Sequence, residues 1–203
     1  MAAEPAVILF DIGGVLLTNG WDHVSRARAA EVFALDEGFE TRHAVEALDL
    51  DTARISLDTY LDRVVFDRER PFTREDFVAF MQSESKPFPD TIAVLDEIVA
   101  TGRYLVLALN NESRELNDYR IERFELARRF DGFLSSCYLG LSKPDPSIYL
   151  RMLQIVHRPP ETCVFVDDRS GNVKTAVELG IHGIHHTTAT TTREALRAAG
   201  VRF

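Results

Sequence analysis

The stretch VILFDIGGVLL, Val7 to Leu17, runs apolar for four residues, places a single carboxylate at Asp11, turns on Gly13 and Gly14, and becomes apolar again. An unalternating apolar run of this length reads as a parallel strand buried on both faces. Counted from Ala6, the run AVILF has counterparts at YLVLAL (Tyr104–Leu109), GFLSSCYL (Gly132–Leu139) and TCVFV (Thr162–Val166), with a weaker fifth at IHGIHH (Ile181–His186).

Helical patterns separate these runs. In PDTIAVLDEIVATG, Ile92, Leu95, Ile98 and Val99 share one face, Asp90 can cap the start and Gly102 suits the stop. Similar patterns cover Glu115–Arg129, Pro146–Val156 and Gly171–Leu179, and TTRE at Thr191–Glu194 offers a capping box for a last helix. Strands alternating with helices from residue 88 onward predict an α/β fold, a doubly wound parallel sheet. Residues 18–87 break the rhythm with helical patterns near His23–Leu35, Glu40–Leu50, Leu57–Phe66 and Arg74–Met81. We read them as a helical insertion after the first strand, entered near Thr18–Gly20 and closed by the prolines of KPFPD (Lys86–Asp90). The expected division is a Rossmann-like core of 1–17 and 88–203 with a cap of 18–87.

Composition excludes some functions. The chain has 203 residues, with 23 Lys and Arg against 32 Asp and Glu and a formal charge of −9, so no broad positive field attracts nucleic acid or anionic lipid. No apolar run approaches the ~18 residues of a membrane span, and the N-terminal run is too short for a signal peptide. Cys137 and Cys163 lie in apolar runs as small hydrophobes. A reduced, cytoplasmic protein is expected, with neither nucleic acid nor membrane as partner.

In open parallel sheets ligands bind beyond the carboxyl ends of the strands. The polar residues there are Asp11, then Asn110 and Asn111, then Lys143, then Asp167 and Asp168. Carboxylates converging on one lysine resist ionisation unless a cation joins them. Mg²⁺ answers that need, since it takes one or two carboxylates and a substrate phosphate oxygen. Asp11 could then attack phosphorus while Lys143 holds negative charge on the transferring group.

The motifs FDIGGVL, LVLALNN, LSKPDPSIY and VFVDDRSGN, in this order along nearly the whole chain, resemble those of the haloacid dehalogenase superfamily. The resemblance implies a phosphatase working through a phosphoaspartyl intermediate on a small phosphorylated metabolite. It makes Asp11 nucleophile and magnesium ligand, Lys143 the motif lysine, Asp168 a second metal ligand, Asp167 and Asn172 supporting residues, and Asn110 and Asn111 phosphate contacts. It also implies a helical cap that closes over the site.

Two departures stand out. The position two residues after the nucleophile, usually an aspartate acting as general acid and base, is Gly13, which can still offer its backbone carbonyl to a metal. The second strand ends in Asn110 where Ser or Thr is usual. A pattern of the form D-x-G-[N/G]-V is similar to that of the sugar-1-phosphate phosphatases, so Gly13 is compatible with activity. Two alternatives stay open: a catalytically silent binding protein, and carbon–halogen hydrolysis through Asp11. A receiver domain is disfavoured because its acidic pair follows the first strand. Among insertion residues, Trp21 reads as packing and His23 and Arg26 as solvated, with His23 the first candidate for a substitute proton donor. His182, His185 and His186 are assigned no role.

Overall fold

A computed structural model describes residues 4–203, so the first three residues of the expected 1–17 core segment lie outside the described residues. Five strands form one sheet: β1 (Val7–Phe10), β2 (Leu105–Ala108), β3 (Gly132–Phe133), β4 (Cys163–Asp167) and β5 (His182–His185). The sheet is parallel throughout, in the order β3-β2-β1-β4-β5. β1 is central, pairing Val7 with Leu105 on one side and Cys163 on the other. Chain order reverses beside β1, so Asp11 and the end of β4 are neighbours at the crevice where such sheets bind ligands.

Side chains alternate across the sheet. Ile8, Phe10, Val106, Ala108, Val164 and Val166 face α5 (Pro89–Ala100) and α10 (Ala189–Ala198), represented by Leu95, Ile98 and Leu196. Val7, Leu9, Leu107, Leu109 and Phe165 face α8 (Pro146–Val156) and α9 (Ser170–Glu178) through Tyr149, Met152 and Ala176. Helices on both faces explain why β1 and β2 are apolar throughout and β4 is apolar up to Asp167.

Several boundaries differ from expectation, each for a local reason. In GFLSSCYL only Gly132 and Phe133 are strand, because Ser135 adopts a helix-capping conformation and Ser136–Leu139 form the short helix α7, ended by Gly140 at φ 67°. Helix α5 begins at Pro89, whose ring suits a first helical position, and Asp90 lies inside the first turn. Helix α6 is Arg114–Arg123, since Glu125 takes φ 51° before a short 3-10 turn at Leu126–Arg128. The last helix is capped three residues earlier than expected, by a reciprocal box of Thr188 and Thr191.

Between β1 and α5 lie α1 (His23–Val32), α2 (Phe39–Asp51), α3 (Leu57–Val64) and α4 (Arg74–Ser83). They enclose their own cluster, with Phe39, Tyr60, Leu61, Phe77 and Met81 buried. The ring of Trp21 packs edge-on against Phe39 and Phe77, and its indole N–H donates to the Tyr60 hydroxyl at 2.9 Å. The two segments joining these helices to the sheet are stitched together. The Thr18 N–H donates to the Lys86 carbonyl at 2.8 Å, and the Thr18 hydroxyl donates to the Glu84 carbonyl at 2.5 Å. No helix among the described residues is long and apolar enough to cross a membrane.

Candidate active site

Each strand end delivers one part of the site. The Asp11 N–H continues the ladder by donating to the Val166 carbonyl at 2.8 Å, which fixes the carboxylate beside the end of β4. Asp11 Oδ1 accepts from the Ile12 N–H at 2.8 Å, and Oδ2 lies 3.0 Å from Lys143 Nζ. Behind it, fully buried Asp167 accepts from the Arg169 N–H at 2.7 Å and from Asn172 Nδ2 at 3.0 Å, tying the end of β4 to the first turn of α9. Lys143 Nζ donates to Asp167 Oδ2 at 2.7 Å and to the Leu109 carbonyl at 2.8 Å. With Asp11 this engages all three ammonium protons, so a ligand reaches Lys143 only by sharing one of these bonds.

Asp168 completes the group. Its Oδ2 accepts from Asn19 Nδ2 at 3.2 Å, while Oδ1 is buried with no hydrogen-bond partner among the described residues. Its carbonyl accepts from His185 Nε2 at 2.9 Å, the contact that occupies a histidine to which the sequence assigned no role. Oxygens of Asp11, Asp167 and Asp168 all lie within 4.8 Å of one another. Gly14 is required by this approach: it sits at φ 71°, and a Cβ there would stand 2.1 Å from Asp168 Oδ2.

Three carboxylates with one lysine leave the cluster short of positive charge. Burial, reinforced by Asp167 and Asp168 and opposed by Lys143, pushes Asp11 up to about 8. Burial works to raise Asp167 as well, but Lys143, the Arg169 amide and Asn172 outweigh it and hold that carboxyl below its ordinary value. The unpartnered oxygen of Asp168 and the charge deficit both fit a hard divalent cation.

The cluster forms the floor of a cavity of about 550 Å³ roofed by α1 and α2. Of the residues singled out in the sequence, Asp11, Gly13, Asn111, Lys143, Asp168 and Asn172 line it, with Asp167 immediately behind. Asn110 is not on the wall: its amide donates to Asn117 at 2.9 Å and its carbonyl oxygen accepts from Ser135 at 2.8 Å. Asn111 clamps the lysine loop, donating to the Lys143 carbonyl at 2.8 Å and accepting from the Lys143 N–H at 2.9 Å. Trp21, His23 and Arg26 also reach the wall, Arg26 while paired with Glu40 at 2.9 Å.

Other wall residues had no local signal. Arg120, 2% exposed, pairs with Glu112 at 3.0 Å and donates to the Ser85 hydroxyl and the Thr18 carbonyl, both at 2.9 Å. His43 is held in a chain: Trp21 donates to the Tyr60 hydroxyl, which lies 2.8 Å from His43 Nδ1. Burial, with Arg26 nearby, pushes His43 down to about 4, so the ring is neutral at physiological pH.

A family model described as haloacid dehalogenase-like hydrolase matches residues 5–180. Bifunctional epoxide hydrolase 2 of Mus musculus is 38% identical over 80 residues, which cover 39% of this chain and only 14% of that much longer protein. Phosphoglycolate phosphatase of Aquifex aeolicus is 24% identical over 184 residues, covering 86% of this chain and 81% of the relative. Among solved structures, a HAD family enzyme from Bacteroides thetaiotaomicron superposes with a TM-score of 0.79 at 19% identity, covering 91% of this chain and 95% of the other. That enzyme has also been solved in complex with magnesium and inorganic phosphate.

Proposed function

The chain belongs to the haloacid dehalogenase-like hydrolases, and from that premise we propose that it is a magnesium-dependent phosphatase of a small phosphorylated metabolite, with sugar phosphates the first class to try. The observation that carries the proposal is the convergence of Asp11, Asp167 and Asp168 on one lysine, with one Asp168 oxygen left unpartnered. Asp11, Asp168 and the Gly13 carbonyl would hold Mg²⁺. When bound, the ion supplies positive charge that keeps the carboxylates ionised and offsets charge on the transferring phosphoryl group.

The protein's own residues do the rest. Asp11 is the nucleophile: its carboxylate attacks phosphorus and carries the phosphoryl group as an aspartyl phosphate until water releases it. Lys143, fixed by Asn111 at its backbone and by Asp167 at its ammonium, orients Asp11 and faces the transferring group. Asn172 holds Asp167 from behind. We take residues 18–87 as a cap that excludes water from the cavity and 1–17 with 88–203 as the core. Asn111 is the better placed of the two asparagines for a phosphate oxygen, because both ends of Asn110 are engaged inside the protein. We place the protein in the cytoplasm, where its two buried free cysteines stay reduced.

The test is turnover of p-nitrophenyl phosphate, acetyl phosphate and sugar phosphates with Mg²⁺ and with EDTA, using wild type and Asp11→Asn. Turnover that needs both metal and Asp11 supports the proposal. Halide release from a 2-haloacid in EDTA would point to carbon–halogen chemistry instead, and binding of phosphorylated ligands without any turnover to a silent binding protein.

A further inference from the structure

Hydrolysis of a phosphate ester needs a proton for the departing oxygen, and residue 13 has no side chain to give one. The space there is already taken, since a Cβ on Gly13 would meet Asn19 Oδ1 at 2.9 Å. The donor must come from elsewhere on the cavity wall. Beyond the metal-binding group, three carboxyl side chains line the cavity among the described residues: Asp22, Glu112 and Asp51. Asp22 caps α1, accepting from the Val24 and Ser25 amides at 3.0 Å each. Glu112 pairs with Arg120 at 3.0 Å and accepts from the Ser113 N–H at 3.1 Å. Asp51 has no such engagement, as no donor among the described residues is hydrogen-bonded to its carboxyl group. Its backbone is the pinned part: the Ser136 hydroxyl donates to the Asp51 carbonyl at 2.6 Å and accepts from the Glu112 N–H at 3.0 Å. The end of α2 is thereby tied to the core next to the segment that follows β2. His23 also reaches the wall but lies exposed at the start of α1. His43 faces the cavity as a neutral ring whose Nδ1 is engaged by Tyr60.

Resting on the phosphatase reading, we propose that Asp51 is the general acid and base of this site, doing from the roof of the cavity what residue 13 cannot do from its floor. In the first half-reaction a bond forms between Asp11 and phosphorus, the bond from phosphorus to the ester oxygen breaks, and that oxygen takes the Asp51 proton. In the second, water bonds to phosphorus, the Asp11–phosphorus bond breaks, and the water proton returns to Asp51. The surroundings suit both roles. Burial and the like charge of Glu112 push Asp51 up to about 7, while Arg169 from the start of α9 and Arg26 from α1 pull it back. Tyr60, facing it from α3, stays a neutral phenol because burial raises its value. A proton donor near neutrality is close to the optimum for acid–base exchange at physiological pH.

The experiment compares wild type, Asp51→Asn and Asp51→Glu on a series of phosphate esters graded by leaving group, with p-nitrophenyl phosphate at one end and an alkyl or sugar-6-phosphate at the other. Asp51→Asn should lose about 10² to 10⁴ in kcat/KM, which reports transfer to Asp11, on the poor leaving groups and about tenfold or less on p-nitrophenyl phosphate. Its rate should depend steeply on leaving-group basicity, the basic limb of the pH profile should disappear, and Asp51→Glu should recover part of both. A second readout needs no turnover: the ¹³C carboxyl titration of the metal-free protein should show a resonance with a midpoint near neutrality that Asp51→Asn removes. Uniform loss of kcat/KM across the series, or an unchanged basic limb in its pH profile, would overturn the assignment while leaving the phosphatase reading intact. Absence of Asp11-dependent turnover of p-nitrophenyl phosphate by wild type would overturn both.

Discussion

Replacing Arg120 by methionine tests how the helices of residues 18–87 are held to the sheet. The guanidinium joins Glu112 to both connecting segments, reaching the Thr18 carbonyl in one and the Ser85 hydroxyl in the other. Arg120 is 2% exposed and Glu112 7%, so the pair is largely shielded from bulk water. Removing one member of a buried pair leaves the other charge uncompensated, which costs about 3–5 kcal/mol. For a chain of this size each kcal/mol lowers Tm by about 2–4 °C, so Arg120→Met should melt roughly 6–20 °C earlier. The pH dependence has a definite sign. Burial already raises the Glu112 pKa against the pull of Arg120, and removing the arginine raises it further. A carboxyl raised in the folded state keeps a proton that the unfolded chain gives up, so its penalty is absent below the ordinary carboxylate range and grows as pH rises through the raised value. The Tm difference between variant and wild type should therefore be larger at pH 8 than at pH 5. Adding Glu112→Gln should recover part of the loss, because the residual charge is gone. Thermal melts of the three proteins at the two pH values supply the data. A Tm change within about 2 °C, or equal losses at both pH values, would refute the claim that Arg120 neutralises Glu112.

Asp11→Asn should abolish turnover, lowering kcat at least about 10³-fold in a steady-state assay, while circular dichroism stays unchanged because the substitution is nearly isosteric. Asp168→Asn should raise the Mg²⁺ concentration needed for half-maximal activity and weaken Mg²⁺ binding by calorimetry; an unchanged isotherm would move the ion elsewhere. Gly14→Ala should do both and also destabilise, since a left-handed alanine costs about 1–2 kcal/mol and its Cβ would displace the Asp168 carboxylate. Gly13→Asp in the Asp51→Asn background should restore turnover of poor leaving groups more than of p-nitrophenyl phosphate, provided the Asn19 side chain swings aside, a movement that a crystal structure of the variant would show.

The site shows where a sequence is legible and where it stops being so. Asp11, Lys143 and Asp168 could be read because each follows a strand or its connecting loop at the carboxyl edge of a parallel sheet, a position that depends on local pattern and strand order. The strands were readable for the same reason: β1, β2 and β4 are buried on both faces, so nearly every residue in them is apolar. GFLSSCYL defeated that logic because an eight-residue apolar run does not distinguish strand from buried helix, and its serine pair was the cue that the chain turns after Phe133. At Asn110 the position at the strand end was legible but the side chain's direction was not, because Asn117 and Ser135 decide it. The rest of the wall is built from contacts that no local window contains. Arg120 meets the Thr18 carbonyl 102 residues away, and Asn19 meets Asp168 across 149. That last contact bears on Gly13 directly. Asn19 Oδ1 fills the space a side chain at residue 13 would enter, while Asn19 Nδ2 holds Asp168 in place. The missing acid and the position of a metal-ligand candidate are thus coupled through one amide, so a carboxylate introduced at residue 13 perturbs Asp168 as well as supplying a proton. A gain confined to poor leaving groups is what separates those two effects.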